Sequence, residues 1–303
     1  MPELPEVEHV VRALRRGVLG RQIVATEIHL PKLVSPSSAS TFSRKLKGSR
    51  IIAINRRGKY ILIELEKLNA RGRALTNALT NEGATASSLK PATEQVLIVH
   101  LRMTGKFMVL TPDDELPRHA HAVFYLDDER RLVFRDQRQF GIMRLAAKSR
   151  VGETKGISEL APEPFGSDFN VGYLKETLSR SRRTLKTLLL DQTRVLGLGN
   201  IYASEALFRA QINPFRIASA LSSKRTERLH QSIRDVLRAA VSSNSSRRLN
   251  LEDPKGFSYG EAFGKVWQVY DREGKRCFKC GTRIKRITHG GRSTYWCPRC
   301  QRR

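Results

Sequence analysis

Met1-Pro2-Glu3-Leu4-Pro5-Glu6-Val7-Glu8 opens the chain, and the rest is best read outward from it. If Met1 is trimmed ahead of Pro2, the proline ring nitrogen becomes a free secondary amine. An α-amine with a pKa of roughly 7.7–8.0 is about a tenth deprotonated at neutral pH, whereas a lysine at roughly 10.4 first needs a large depression. A secondary amine that condenses with a sugar aldehyde carbon gives an iminium of fixed positive charge, an electron sink that needs no further proton. Glu3, one residue on, can supply the proton such chemistry uses. The competing reading is that Pro2 and Pro5 only begin a helix, since proline is favoured in a first turn.

Beyond this stretch, Leu4, Val7, Val10, Val11, Leu14 and Val18 recur with helical spacing, with acids early and Arg12, Arg15 and Arg16 late. Such a helix would pack behind the amino end and hold it still. Short β-type runs follow at 23–28, 50–55, 60–65, 96–101, 106–110, 122–126, 132–135 and 142–145, a pattern that predicts an antiparallel sandwich or barrel. Residues 67–94, rich in Ala, Thr, Asn, Ser and Gly, read as an exposed insertion in a hairpin. After about residue 150 the pattern turns helical, at 171–179, 183–192, 201–211 and 222–241. A turn-rich linker at 156–170 precedes these helices. A polar stretch at 242–248 and a glycine-bearing one at 253–264 predict a mobile loop before the cysteines.

The chain has 303 residues, 40% of them apolar, enough for two domains with cores of their own. Lys and Arg number 55 against 29 acids, a net charge of +26, which points to a polyanionic partner. There is neither an apolar run long enough to span a bilayer nor a signal-peptide core, so no membrane partner and an intracellular location are expected. All four cysteines lie between 277 and 300, which leaves no disulfide framework elsewhere.

Cys277-x2-Cys280, sixteen residues, then Cys297-x2-Cys300 has the spacing of a four-thiolate zinc site. With no open ligand position the metal would be structural. The surrounding Arg and Lys suit phosphates, although zinc ribbons serve binding modules of many kinds. Gly197-Leu198-Gly199-Asn200 stands just before a helical run, where free amides and the Asn200 side chain could seat a phosphate; a tight inter-helix turn explains the glycines equally well. Lys59 and His100 are candidate phosphate contacts, set against readings as a solvated turn lysine and a core histidine. Met103, Arg138 and Phe140 sit on apparent turns, where an apolar side chain can wedge between base pairs and an arginine can fill the place of an extruded base. Packing roles are the alternative for each.

Taken together and in order, the Pro2–Glu6 start, Lys59, the 100–105 and 136–141 turns, 197–205 and the four-cysteine finger resemble the formamidopyrimidine-DNA glycosylases. The resemblance implies an α+β chain in three parts. These are an N-terminal antiparallel β-sandwich with flanking helices (1–150), a helix-two-turn-helix domain with a lesion-capping loop (151–264) and a zinc finger (265–303), with DNA between them. It implies one structural Zn2+ on Cys277, Cys280, Cys297 and Cys300, and a partner that is double-stranded DNA containing oxidised bases. A monomer in the cytoplasm, at the nucleoid, is expected. By the same resemblance Pro2 attacks C1′ and Glu3 protonates the sugar. Lys59, His100, Lys186, Asn200 and Arg292 grip phosphates around the lesion, Lys59 and Arg292 being counted with the catalytic group. Met103, Arg138 and Phe140 fill the gap, with Arg138 reading the opposite cytosine. The reaction implied is excision of oxidised purines followed by β,δ-elimination.

Three departures stand out. Ser245-Ser246-Arg247-Arg248 replaces a Gly-Gly-Thr-Thr stretch frequent in the family, Gln139 stands where a second basic residue is common, and the 67–94 insertion lengthens a hairpin. They predict altered lesion preference before lost activity. The nearest rival is an endonuclease VIII-like enzyme for oxidised pyrimidines, which usually has glycine where Leu4 stands. A noncatalytic zinc-ribbon nucleic-acid binder is the rival of another class, and it would have no use for Pro2-Glu3.

Overall fold

Eight strands, all antiparallel, form one sheet in the first part of the chain. They are β1 (Gln22–Ile28), β2 (Ser49–Arg57), β3 (Tyr60–Lys67), β4 (Gln95–His100), β5 (Lys106–Leu110), β6 (Ala120–Leu126), β7 (Arg131–Arg135) and β8 (Ile142–Ala147). Each coincides with one of the expected runs. The computed structural model describes residues 2–67, 94–243, 249–253 and 267–302. Residues 68–93 of the insertion, Ser245-Ser246-Arg247-Arg248 and nearly all of the 253–264 loop therefore lie outside the described residues.

The sheet runs β5-β7-β6-β1-β2-β3-β4-β8. Its middle is thin, because β1 and β2 share only the pairs Gln22↔Arg50 and Ile23↔Ser49. Bulges interrupt the β1–β6, β2–β3 and β6–β7 ladders, and a bulge adds local twist and bend. One core cluster takes Ile61, Ile63, Leu97 and Val99 from one half of the sheet and Phe107, Phe124, Leu132 and Phe134 from the other. Both halves therefore supply one apolar layer, as a sandwich requires. The strand period shows in β4, whose Leu97 and Val99 enter this layer while Val96 and Ile98 join a separate cluster with Ile157. Helix α1 (Leu4–Val18) adds Val7, Val10, Val11, Leu14 and Val18 to the shared layer, each fully buried. Burial on that scale contributes ~1.5–3 kcal/mol per side chain before entropy is subtracted. β3 and β4 pair from Tyr60↔His100 to Leu65↔Gln95, so the insertion joins the two strands of a hairpin. A short helix that the sequence reading lacked, α2 (Ala39–Leu46), is capped by the Ser38 side chain, which accepts from Thr41 N.

The chain divides into two compact units. One takes Pro2, Val7–Ser158 and the described residues near 250; the other takes Glu3–Glu6 and the described residues from Glu159 onward. The second unit contains α3 (Val171–Ser179), α4 (Leu185–Leu189), α5 (Asn200–Arg209) and α6 (Ser223–Ser243). Leu4, Leu185, Leu188, Tyr202, Leu207, Leu229 and Ile233 share its core. α4 is shorter than the expected 183–192 run, because Asp191 turns the chain by accepting from Thr193 N and Thr193 Oγ1. The finger adds a hairpin of β9 (Lys285–His289) and β10 (Arg292–Trp296). Its turn is Gly290-Gly291, both with φ positive, as a tight two-residue connection needs. Among the described residues no helix is long and apolar enough to cross a membrane.

Candidate active site and nucleic-acid interface

In the second unit, the carboxylate of Glu3 caps α5. Its Oε2 accepts from Gly199 N at 2.6 Å and Tyr202 N at 3.2 Å, and its Oε1 from Ile201 N at 2.9 Å. These are the orphan amides of a helix N-terminus, where the dipole also favours an anion. The chain thus fills with its own side chain the seat that the sequence suggested for a phosphate. The two glycines have a steric reason. A Cβ on Gly199 would lie 2.4 Å from Glu3 Cδ, and one on Gly197 2.5 Å from Leu4 Cδ1. Gly197 O accepts from Leu4 N at 3.0 Å, which completes the anchorage of the amino end.

Glu6 supports Glu3 from behind. Its Oε2 accepts from Glu3 N at 2.7 Å, and Tyr202 Oη donates to its Oε1 at 2.7 Å. Burial, with the neighbouring Glu3 charge, pushes the Glu6 carboxyl up to about 7. Lys186 is 1% exposed, and its Nζ donates to Asn200 O at 2.8 Å and to Ser204 Oγ. Burial pulls its ammonium down to about 7, against the opposing pull of Glu3 and Glu205. Lys186 therefore sits inside the unit, bonded to the first turn of α5. The Asn200 side chain is likewise engaged, its Nδ2 donating to Ser293 O at 2.9 Å. This bond fixes β10 beside Arg292, which is exposed just past the Gly-Gly turn. Glu205, on the same helix, accepts from Gln268, Val269 and Tyr270 N, each at 2.9 Å, and so binds the start of the finger segment to α5. Glu6 and Glu205 stand in motifs that the sequence singles out, but it gave neither a role: Tyr202 lies 196 residues beyond Glu6, and Gln268, Val269 and Tyr270 lie 63, 64 and 65 residues beyond Glu205.

In the first unit, Lys59 follows Gly58 in the two-residue turn closed by Arg57↔Tyr60, and φ of Gly58 is +56°. Lys59 is 6% exposed, which removes the reading as a solvated turn lysine. His100 packs edge-on against Tyr60, and its Nδ1 accepts from Arg102 N at 2.9 Å. Burial first, then the charges of Arg102 and Lys59, lowers its pKa to about 3. At neutral pH the ring is uncharged with its proton on Nε2, so any phosphate contact it makes is that of a neutral donor.

Asp136 ties the two candidate wedge turns together. Its Oδ1 accepts from Thr104 Oγ1 and from Arg138 N, and its Oδ2 from Gly141 N at 2.7 Å, while the side chain is 1% exposed. Arg138 N also donates to Thr104 Oγ1. Met103 and Phe140 remain 38% and 50% exposed, and the Arg138 guanidinium lies 5.0 Å from the Phe140 ring centre. Two apolar side chains and a cation are thus presented to solvent on a braced base.

The four cysteine sulfurs lie within 4.8 Å of one another. Cys277–Cys300 is 3.9 Å and Cys280–Cys297 is 3.4 Å, close to the ~3.8 Å edge of a tetrahedron with ~2.3 Å Zn–S bonds. Turn amides brace the donors, Cys300 N donating to Cys297 Sγ and Gly281 N to Cys277 O. The donor set fits one structural Zn2+, with no position open for a substrate.

Fold and site together define an α+β protein with a helix-two-turn-helix segment, a four-cysteine finger and an anchored Pro-Glu amino end. Models of the formamidopyrimidine-DNA glycosylase N-terminal domain, of its H2TH domain and of the zinc finger found in FPG and IleRS match residues 1–143, 160–250 and 274–303. The chain belongs to the formamidopyrimidine-DNA glycosylase family. Enzymes of that name from Pelotomaculum thermopropionicum and Heliobacterium modesticaldum are each 39% identical, over 100% of this chain and 99% and 100% of theirs. Among solved structures, Lactococcus lactis Fpg with DNA containing an abasic site matches with a TM-score of 0.81 and 31% identity, covering 99% of this chain and 100% of that one. MutM with DNA containing carbocyclic 8-oxo-G matches with a TM-score of 0.82 and 31% identity over 100% of both chains.

Proposed function

We infer that this chain is a base-excision repair DNA glycosylase that removes oxidised purines from duplex DNA and then cuts the strand as an AP lyase. The observation that carries this reading is the anchored amino end: Glu3 is held by three α5 amides, one peptide bond from the Pro2 nitrogen. Positioning of this kind is what converts a weak amine into an effective nucleophile.

With Met1 removed, the Pro2 nitrogen attacks C1′ and the glycosidic bond breaks, its electron pair leaving with the base. Glu3 passes a proton to the sugar ring oxygen as the ring opens, and the nitrogen becomes an iminium. The iminium acidifies the C2′ proton; its loss expels the 3′ phosphate, and a second elimination expels the 5′ phosphate. Lys59, His100, Asn200 and Arg292 serve the phosphates near the lesion, His100 as a neutral donor. Lys186, being buried, acts through Asn200 and Ser204. Met103, Arg138 and Phe140 occupy the gap left by the extruded base. Its place of work is genomic DNA, hence the nucleoid.

Borohydride reduction in the presence of duplex with 8-oxoguanine opposite cytosine tests this. The expected product is a covalent adduct whose sugar remnant maps to Pro2. A remnant on a lysine, or no adduct from any oxidised purine, overturns the reading, and adducts only with oxidised pyrimidines would transfer it to the endonuclease VIII-like class.

A further inference from the structure

A cavity of about 400 Å3 lies in the second unit where the start of α6 meets the two Cys-x-x-Cys turns. Five cations line it: Arg225, Arg228, Lys279, Arg299 and Arg302. No carboxylate does, and none of the five has an ion-pair partner among the described residues. Acids are not scarce in this unit. Arg180, Arg183, Arg209 and Arg286 are each paired, with Glu176, Asp191, Asp235 and Glu273.

One local purpose for the cations would be to offset the finger, since Cys280 and Cys300 also face the cavity. A Zn2+ on four thiolates carries about two negative charges, which leaves a surplus of about three positive ones. A second feature runs the same way. α6 has no acid in its first turn, and its first two turns hold Lys224, Arg225 and Arg228 against the single acid Glu227. Cations are disfavoured at that end by the helix dipole, which is added to their mutual repulsion. Local electrostatics set against the fold are found where a ligand supplies the missing charge.

We propose that this cavity is a second phosphate-binding site, taking a phosphodiester of DNA beyond the turn that carries the lesion. It shares no lining residue with Glu3, Lys186, Asn200 and Arg292. Guanidinium forks, four of the five groups here, match phosphate oxygens in pairs. The phosphodiester comes either from the far flank of the bound duplex or from a second duplex. The proposal needs only that the chain binds DNA, not that it excises bases.

The test uses zinc-loaded full-length protein and two variants, R225Q/R228Q and R225E/R228E. Anisotropy is read in three arms: a duplex of roughly 12 base pairs with an uncleavable abasic analogue, one of roughly 40 with the analogue at its centre, and a labelled undamaged duplex added to protein saturated with the short one. The short duplex should bind all three proteins alike. Either the long duplex, for a flank site, or the added duplex, for a second-duplex site, should bind R225Q/R228Q about 10-fold more weakly near 0.1 M salt, with a log–log salt slope shallower by about 1. R225E/R228E should lose more affinity and still melt no lower than the parent, because acids suit a helix start.

Wild-type affinity and slope in all three arms overturn the proposal, and that is the outcome expected if the cavity takes an acidic protein segment. An equal loss on the short duplex places the cations in the lesion site and overturns it too, as does a lowered melting temperature in both variants. Failure of the glycosylase reading would look different: the unaltered protein would show no preference for the abasic analogue.

Discussion

Gly199→Ala isolates the anchorage of Glu3 from every other feature of the site. Gly199 has φ −128° and ψ −157°, extended backbone that alanine adopts freely, so the change acts through space alone. The added Cβ would stand 2.4 Å from Glu3 Cδ, 2.5 Å from Oε1 and 2.6 Å from Cγ. To regain ordinary contact the carboxyl must retreat by about 1 Å, and it then loses the 2.6 Å bond from Gly199 N. A misplacement of ~1 Å costs on the order of 10²-fold in rate, and loss of one charge-assisted bond removes ~1.5–3 kcal/mol of what holds the carboxylate in place. Single-turnover excision of 8-oxoguanine should therefore fall by at least about 10²-fold, with less than about 3-fold change in affinity for an abasic-analogue duplex. Gly152→Ala, whose Cβ meets nothing within 4 Å, is the matched control. If G199A excises at the parental rate, the Glu3–α5 cap does not position the reacting carboxyl and the mechanism is wrong.

Asp136→Asn puts an amide where the carboxylate accepts from Thr104, Arg138 and Gly141. One N–H must then face another donor, so urea unfolding should show a loss of about 1–3 kcal/mol, with weaker binding to a duplex bearing a flipped-out base. Lys186 titrates at about 7 in the folded protein against ~10.4 unfolded, so the unfolded chain holds the extra proton between those values and stability climbs as pH rises across them. K186M should flatten that climb by up to ~1.4 kcal/mol per pH unit, read from urea melts at about pH 7.5 and about pH 9; an unchanged slope would mean that the amine is not buried as described. Chelating the finger metal should release the β9–β10 hairpin and weaken duplex binding at least about 10-fold, as should Cys297→Ser; full affinity in metal-free protein would contradict the structural role.

Much of the fold was legible because strands and long helices print their period on the sequence. The apolar stripe from Leu4 to Val18 coincides with α1, whereas Val96-Leu97-Ile98-Val99 was legible as a short unbroken apolar run, the mark of a strand buried on both faces. α2 was not legible: only Phe42 and Leu46 of its eight residues are buried apolar anchors, too few to show a period. β9 escaped for the opposite reason, since nearly all its residues face solvent and carry no inward pattern. Of the candidate site, the sequence named residues but showed none of the bonds that hold them. Gly197 and Gly199 looked like a phosphate seat because the anion that fills it lies 196 residues upstream. Lys186 entered only through the resemblance, as a phosphate contact, because no spacing rule shows a lysine folded inward onto Ser204.

That separation has a consequence for how the protein is born. Translation runs from the amino end at ~5–20 residues per second, so the Gly199 amide leaves the ribosome roughly 10–40 s after Glu3 does. Throughout that interval the Glu3 carboxylate lacks the three amides that hold it in the folded chain. Once α5 emerges, Gly199 N, Ile201 N and Tyr202 N close on the Glu3 carboxylate, so the amino end, first to be made, is among the last parts to be fastened.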